Sequence, residues 1–380
     1  MKWFFSPVRG ARSPWPNVNF LSLVREFLHF FLISGHNYLK EWELAVSHDA
    51  PTVSVIVPCR NEKDHIEEGV RSILAQDSPI GGFELLVVDG RSDDGTRKIL
   101  DELALDDTRL RVIDNPDRFT PHAMNAGIRM AKGRFIAIMG AHTNYSKNYI
   151  QTCVELFDEH PDAWCTGGPI HSQGKSPFGR AVAIAMSHPI GVGNAKHRFT
   201  EFEGYAEGAC FPVFRREVFE KIGLYDENLV RNQDDELNFR LALAGGKVYL
   251  SPRAKCRYYV RDTPRRLFWQ YFQYGYYRVA VLRKHRVPAS LRQLAPIIFF
   301  PLSLLMMIGC WLLPYWWASL GCLPFFLYGL ALISVAVWVA IKKGRVTGVL
   351  FPSAVLILHV SYALGFMWNV LGARIPKSVG

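Results

Sequence analysis

The chain has 380 residues, a formal net charge of +10 and seven cysteines. That length holds one large α/β domain plus a further segment. The basic excess does not point to nucleic acid, because eight Arg or Lys against one Asp crowd between Arg261 and Leu294, directly ahead of an apolar region. An odd cysteine count without any C-x-x-C pair supports neither a zinc site nor a disulfide framework.

The amino terminus shows no cleavable signal, since Lys2, Arg9 and Arg12 lead into Pro14 and Pro16 rather than an apolar core. From Phe20, apolar residues recur at helical spacing through Leu23, Val24, Phe27, Leu28 and Phe31, which predicts an amphipathic helix. It either lies in a membrane interface or packs on a soluble domain. Val53 to Val57 is a β-branched strand ending in Pro58-Cys59-Arg60-Asn61-Glu62, and His65 to Gln76 a helix. The pattern continues with strand Leu85 to Val88 closing on Asp89, helix Asp94 to Leu103, strand Leu110 to Asp114, helix Pro121 to Ala131, strand Phe135 to Met139 and helix Tyr149 to His160. Such alternation predicts a mostly parallel sheet, whose carboxyl edge is where ligands bind. Ser172 to Thr200, rich in Gly, Ser and His, reads as a mobile segment on the acceptor side. Carboxylates then cluster at Asp234, Asp235 and Glu236, with Arg240 one turn beyond Glu236.

Past Leu291 the charges nearly vanish. Leu294 to Leu313 and Ala318 to Ile341 carry no Asp, Glu, Lys, Arg or His, and Val349 to Leu371 carries only His359. Each run is long enough for a hydrocarbon core of about 30 Å at 1.5 Å per residue, so three transmembrane helices are expected. Trp316 and Trp317 suit a membrane surface. Arg278, Arg283, Lys284, Arg286 and Arg292 before the first run, and Lys342, Lys343 and Arg345 between the second and third, place the domain and that loop in the cytoplasm. The Pro314 loop and the tail fall outside.

Five stretches occur in a telling order: VSVIVPCRNE at 53–62, VVDGRSDDGT at 87–96, PHAMNAGIRMAKGRFIAIMGAH at 121–142, QDDELNFRLALAGG at 233–246 and QYFQYG at 270–275. Together they resemble the inverting glycosyltransferases of family two, and most closely the membrane-associated members that build bacterial exopolysaccharides such as succinoglycan. The resemblance implies an α/β, GT-A fold (Rossmann-like, mostly parallel sheet) followed by the three membrane helices. It implies nucleotide contacts by Pro58, Arg60, Glu62, Asp89 and Asn125, and a catalytic base at Asp234. Asp235, Glu236, Gln273 and Tyr274 would accompany the base on the acceptor side, and Arg278 would meet the diphosphate. Asp93 or Asp94 would cap the following helix.

The sequence departs from the family pattern at four places, the first being Gly90-Arg91 after Asp89, where many relatives carry a second acid followed by Gly-Ser. Where relatives carry Asp-x-Asp for a divalent cation, this chain reads Gly140-Ala141-His142, leaving His142 as the candidate ligand for Mn²⁺ or Mg²⁺. A strand-end histidine bonded to backbone is the other reading. Gln233 replaces the first acid of the base motif, and Gln273 with Tyr274 stand where processive synthases carry Arg-Trp.

The expected organisation is an N-terminal segment at 1–50, the GT-A domain at 51–260, a basic aromatic juxtamembrane segment at 261–293, membrane helices at 294–371 and a tail at 372–380. The expected function is transfer from a nucleotide sugar, with UDP as the first candidate, to a lipid-linked or growing polysaccharide acceptor at the cytoplasmic face of the inner membrane. Membrane lipids and other polysaccharide-assembly proteins are the expected partners. Two alternatives stand beside it: a polyprenyl-phosphate glycosyltransferase, and a catalytically weakened membrane subunit of an assembly complex.

Overall fold

A computed structural model describes residues 50–141, 143–288, 290–311 and 315–374, with the side chains of 315–318 excepted. The chain divides into units at 1–50 and 51–380, and the elements below all belong to the second. The expected helix around Phe20 to Phe31, His142 and the end of the tail lie outside the described residues.

The strands are β1 (Val53–Cys59), β2 (Phe83–Asp89), β3 (Leu110–Asp114), β4 (Phe135–Ile138), β5 (Thr143–Tyr145), β6 (Ala163–Gly167), β7 (Ile170–Gln173), β8 (Gly204–Ala206), β9 (Val213–Arg215), β10 (Lys247–Leu250) and β11 (Cys256–Tyr259). Eight of them form one sheet in the order β3-β2-β1-β4-β9-β6-β10-β8, and β5-β11-β7 form a second. Pairing from β3 to β4 is parallel, and β9 runs antiparallel between β4 and β6. Helices α1 (Ile66–Leu74), α2 (Thr96–Asp106) and α3 (Thr120–Met130) make the crossovers. Strands covered on both faces are mostly apolar, and β1 and β2 are, with the buried Ser54 hydroxyl donating to Glu84 at 2.6 Å. Successive residues feed opposite faces: Val55, Val57, Leu85 and Val87 enter one core with Phe157, while Ile56, Leu86 and Val88 enter another with Phe214 and Leu237.

Helix α4 (Tyr149–Glu159) precedes β6. The stretch 172–200 is folded rather than a plain loop: it contains helix α5 (Pro177–Ala185), the single turn α6 (Pro189–Val192) and a 3₁₀ turn at Lys196–Arg198. Ser176 caps α5 by accepting from Gly179 N–H at 2.9 Å, and Pro177 occupies the first helical position. Its buried Ala181, Val182 and Ala185 explain the order, since they pack with Phe351, Val355 and Leu358 far along the chain. After α7 (Glu217–Ile222) comes α8 (Gln233–Leu243), which runs back to β10. β10 is parallel to β6, and β6 shares the direction of β4 through the antiparallel β9, so the first turn of α8 lies at the same sheet edge as the ends of β1 and β2.

Helix α9 (Pro264–His285) starts at Thr263, whose hydroxyl accepts from Arg266 N–H, and stops at Arg286 in the left-handed region. The apolar helices are α10 (Ala295–Trp311), α11 (Tyr315–Lys343) and α12 (Arg345–Val370). Two of them are long and apolar enough to cross a membrane, not three: α11 over Ser319–Lys343, and α12. α10 has 17 residues and an internal Pro301, and at 1.5 Å per residue it reaches only about 26 Å. Ile333, Ile341 and Val349 are 60%, 75% and 76% exposed, which a helix of a soluble core would not be. α12 is two-faced: one side packs on α5 and α9, while Val346, Val349 and Leu364 point outward.

Candidate active site

Four parallel strands deliver polar groups to one edge. Asp89, 2% exposed, ends β2 in register with Cys59. Its carboxylate accepts from Ser92 Oγ at 2.5 Å and Ser92 N–H at 3.3 Å. The β1 and β2 loops are laced together: Asn61 N–H donates to Ser92 Oγ, Asp93 N–H to Asn61 Oδ1, and Lys63 N–H to Asp94 Oδ2. Asp94 also accepts from Thr96 N–H at 3.0 Å, and these bonds, led by that from the Thr96 hydroxyl, hold its carboxyl below the usual value. Asp94 thus covers the start of α2, whereas Asp93 makes its bond through backbone. Asn61 and Arg91 adopt positive φ of 55° and 56°. Strained backbone of this kind persists where surrounding structure over-determines it. Pro58 and Arg60 flank the lacing, and Glu62 opens the turn into α1 with its carbonyl accepting from His65 and Ile66.

The first turn of α8 faces a cavity of about 600 Å³. Asn232 begins the helix at φ 62°, and its side-chain amide donates to the Tyr274 carbonyl at 2.9 Å. Arg231 Nε donates to Gln273 Oε1 at 3.1 Å, so the acidic turn is fastened to α9 twice. Asp234 lines the cavity and is solvent-exposed there, among the side chains that crowd it. Removal from water, and then the neighbouring Asp235, raise its pKa from 3.8 to about 6. Burial alone would raise Asp235 too, but the ion pair with Arg278 holds it below the ordinary aspartate value. Across the cavity stand His197, Arg198, Tyr271, Tyr274 and Arg292. Desolvation, then Arg198, lower His197 to about 3, so its imidazole is neutral. Pro296, Phe299 and Phe300 of α10 with Leu358 of α12 form an apolar patch of the wall, beside Tyr328, His359 and Tyr362.

Known proteins are similar in sequence and fold. The glycosyl transferase family 2 model matches residues 54–223. The succinoglycan biosynthesis protein ExoA of Rhizobium meliloti is 31% identical over 327 residues, covering 84% of this chain and 95% of its own. The chain belongs to glycosyl transferase family 2. A dolichyl N-acetyl-alpha-D-glucosaminyl phosphate 3-beta-D-2,3-diacetamido-2,3-dideoxy-beta-D-glucuronosyltransferase of Methanococcus voltae is 27% identical over 61% of this chain and 74% of its own. Among solved structures, a mannosyltransferase from Pyrobaculum calidifontis, in complex with GDP-Man and Mn²⁺, superposes with a TM-score of 0.54 at 18% identity, covering 92% of this chain and 98% of that one. It shares the fold.

Within this glycosyltransferase, three residues expected at the site have other partners. Asn125, 1% exposed, spends its amide on Tyr225: Nδ2 donates to the Tyr225 carbonyl at 2.9 Å and to Glu227 Oε1 at 2.8 Å, and Oδ1 accepts from Tyr225 N–H at 2.9 Å. It staples the segment ahead of α8 rather than reaching the nucleotide edge. Glu236, fully buried, turns away from the cavity into Arg240, Lys284 and His285 at 2.8 to 2.9 Å. Arg278 sits in the cavity beside Asp235.

The expected ligand His142 lies outside the described residues, so they do not test the cation. No group of three or more His, Cys, Asp or Glu side chains able to hold one occurs among them. Gly140, two residues past β4, has no side-chain ligand to offer, and its N–H donates to Tyr145 Oη at 2.7 Å. Sequence reasoning passed over Arg198, Arg292, Asn232 and Asn238, all of which line the cavity. The acceptor-side reading of 172–200 was the signal for Arg198; the other three carry no local pattern.

Proposed function

We propose that this glycosyltransferase inverts the anomeric centre of a nucleotide sugar, with a UDP-sugar the first donor to test, as it transfers the sugar to a lipid-linked or growing polysaccharide acceptor. The observation that carries the reading is Asp234, a carboxylate of raised pKa walled into a cavity at the nucleotide edge. A base poised just below neutral pH is ionised yet accepts a proton readily. Asp234 Oδ takes the proton of an acceptor hydroxyl as that oxygen attacks the anomeric carbon. The bond from that carbon to the nucleoside diphosphate breaks, and its electron pair leaves on the diphosphate. Asp89 and Glu62 hold the nucleoside, with Pro58 and Arg60 beside them, and Gln273 and Tyr274 fix the acceptor side through Arg231 and Asn232.

The likeness to ExoA supports a role in exopolysaccharide assembly, and α11 and α12 support work at a membrane with the domain on the cytoplasmic side. The apolar cavity wall favours a second reading in which the acceptor is a polyprenyl phosphate itself. A donor screen on purified protein, reading released nucleoside diphosphate with and without an acceptor lipid, tests the proposal. Release from one nucleotide sugar supports it; silence across all donors would support the weakened subunit instead.

A further inference from the structure

The last apolar run of the chain carries one histidine, and it is bonded at both ring nitrogens. His359 of α12 meets the Tyr328 hydroxyl of α11 at 2.8 Å through Nδ1, and the Gly191 carbonyl of α6 at 3.1 Å through Nε2. A carbonyl only accepts, so Nε2 carries a hydrogen and donates it, which leaves Nδ1 of the neutral ring to accept from Tyr328. An ionisable side chain in a helix long and apolar enough to cross a membrane is costly, and is kept where it has a task. Holding two such helices together needs only the Tyr328 bond. The second bond leaves the helix pair and reaches the backbone of the segment 189–198.

That segment consists of the single turn α6 and the 3₁₀ turn at Lys196–Arg198, both too short to hold themselves. Gly191 lies near the end of α6, where a helix leaves its carbonyls unpaired. Two residues on, Gly193 passes at φ 62° against the Arg292 side chain, and Arg292 Nη1 donates to Asn194 Oδ1 at 3.2 Å while pairing with Glu207. The segment is thus pinned at Gly191 and at Asn194 before it delivers His197 and Arg198 to the wall that Asp234 and Asp235 share. On its other side Tyr328 packs against Phe299 and Phe300 of α10, with ring centroids 5.4 and 5.8 Å apart. Three apolar helices therefore meet at the pair that holds Gly191.

We infer that His359, oriented by Tyr328, is a positioning residue for transfer: it hangs the 189–198 segment on α11 and α12 and so fixes His197 and Arg198 relative to Asp234. It touches no reacting atom. This rests on the transferase reading and adds a route by which the apolar helices set the geometry around the base.

Hydrogen exchange of the full chain in phosphatidylcholine nanodiscs, read beside donor affinity and transfer, tests this. His359→Phe keeps a ring and removes both bonds, so the amides of 190–198 should exchange at least about tenfold faster while those of 149–167 and the rest of α12 keep their rates. Donor affinity should hold within about twofold, and transfer in membrane vesicles of the expressing cells, with the donor that the screen identifies, should fall about tenfold. His359→Gln supplies one donor group and one acceptor and should recover part of both losses. Tyr328→Phe leaves the Gly191 bond but frees the ring; it should act in the same direction more weakly, and it keeps the test decisive if His359→Phe fails to fold. Unchanged exchange at 190–198 would overturn the inference, as would equal acceleration along α12, which would make the pair ordinary glue between helices. Faster exchange with undiminished transfer would overturn it too. The transferase reading fails separately: a wild-type chain that releases no nucleoside diphosphate from any donor would sink that reading and the positioning role with it.

Discussion

Asp234, Asp235 and Glu236 open one helix, and each meets a different partner. Asp234 faces the cavity, Asp235 pairs with Arg278, and Glu236 is enclosed by Arg240, Lys284 and His285. Their clustering was legible in the sequence. Which acid stays free was not, because the deciding cations lie 43 and 49 residues downstream at Arg278 and His285. Two predictions follow from this division. Transfer should fall about tenfold per pH unit below about 6, where Asp234 takes up a proton. A flat pH profile from 7 to 5 would remove Asp234 as base. For Glu236, burial opposes ionisation, but the Arg240, Lys284 and His285 bonds win and hold its pKa below 4.5. Its folded value lies under the unfolded one, so the stabilisation is complete above pH 4.5 and is lost as pH falls through the folded value. Glu236→Gln should therefore cost about 1 to 3 kcal/mol at neutral pH, measured by denaturant unfolding, because the network loses its buried anion while Arg240 and Lys284 keep the Leu224 carbonyl and Asp226. Gly140 allows a third test. A Cβ there would meet Thr143 Oγ1 at 3.3 Å and Phe211 Cε1 at 3.4 Å, so Gly140→Asp needs small adjustments only. It should make donor binding depend on Mn²⁺ more steeply than in the wild type, read by titration with and without EDTA. Equal dependence would mean that no cation sits at this edge.

The first four strands were legible because β-branched and aliphatic runs between helical segments suit a sheet covered on both sides, whereas the short β5 to β11 carry no such runs. Leu110 to Asp114 matches β3 at both ends. The apolar helices were legible in kind but not in extent, since a hydropathy run does not show where Pro301 and the end of α10 shorten a helix. Nor does it show a contact such as that between α9 and α12. Those helices approach until backbones touch: a Cβ on Gly275 would collide with the Tyr362 carbonyl, and one on Gly365 with that of Phe272. Reciprocal glycines of this kind let helices pack at backbone distance. Gly365→Leu should push α12 from α9, disturb Arg278 and Tyr274, and lower both Tm and transfer. Unchanged transfer would show that the cavity does not depend on this contact.

At the scale of the whole molecule, the first turn of α8 and the apolar helices α10, α11 and α12 line one cavity, with Asp234 on its wall. If the basic residues around Gly344 orient the helices, a cysteine at Gly344 should resist an impermeant thiol reagent in intact cells, and one at Trp316 should react, once Cys310 and Cys322 are replaced. Reversed labelling would put the Gly344 turn outside. Protection of both would mean that the helices enter the membrane without crossing it. The central claim, that Asp234 removes the acceptor proton, is tested most directly by Asp234→Asn in nanodiscs with donor affinity and transfer measured on the same preparation. Asparagine keeps the shape and removes the charge. Since the raised pKa means that the ionised group works against folding above pH 6, the variant should be no less stable than the wild type at pH 7.5. Donor affinity should hold while transfer drops by about 10² or more; transfer within a few-fold of wild type would contradict the account and move the base to another residue.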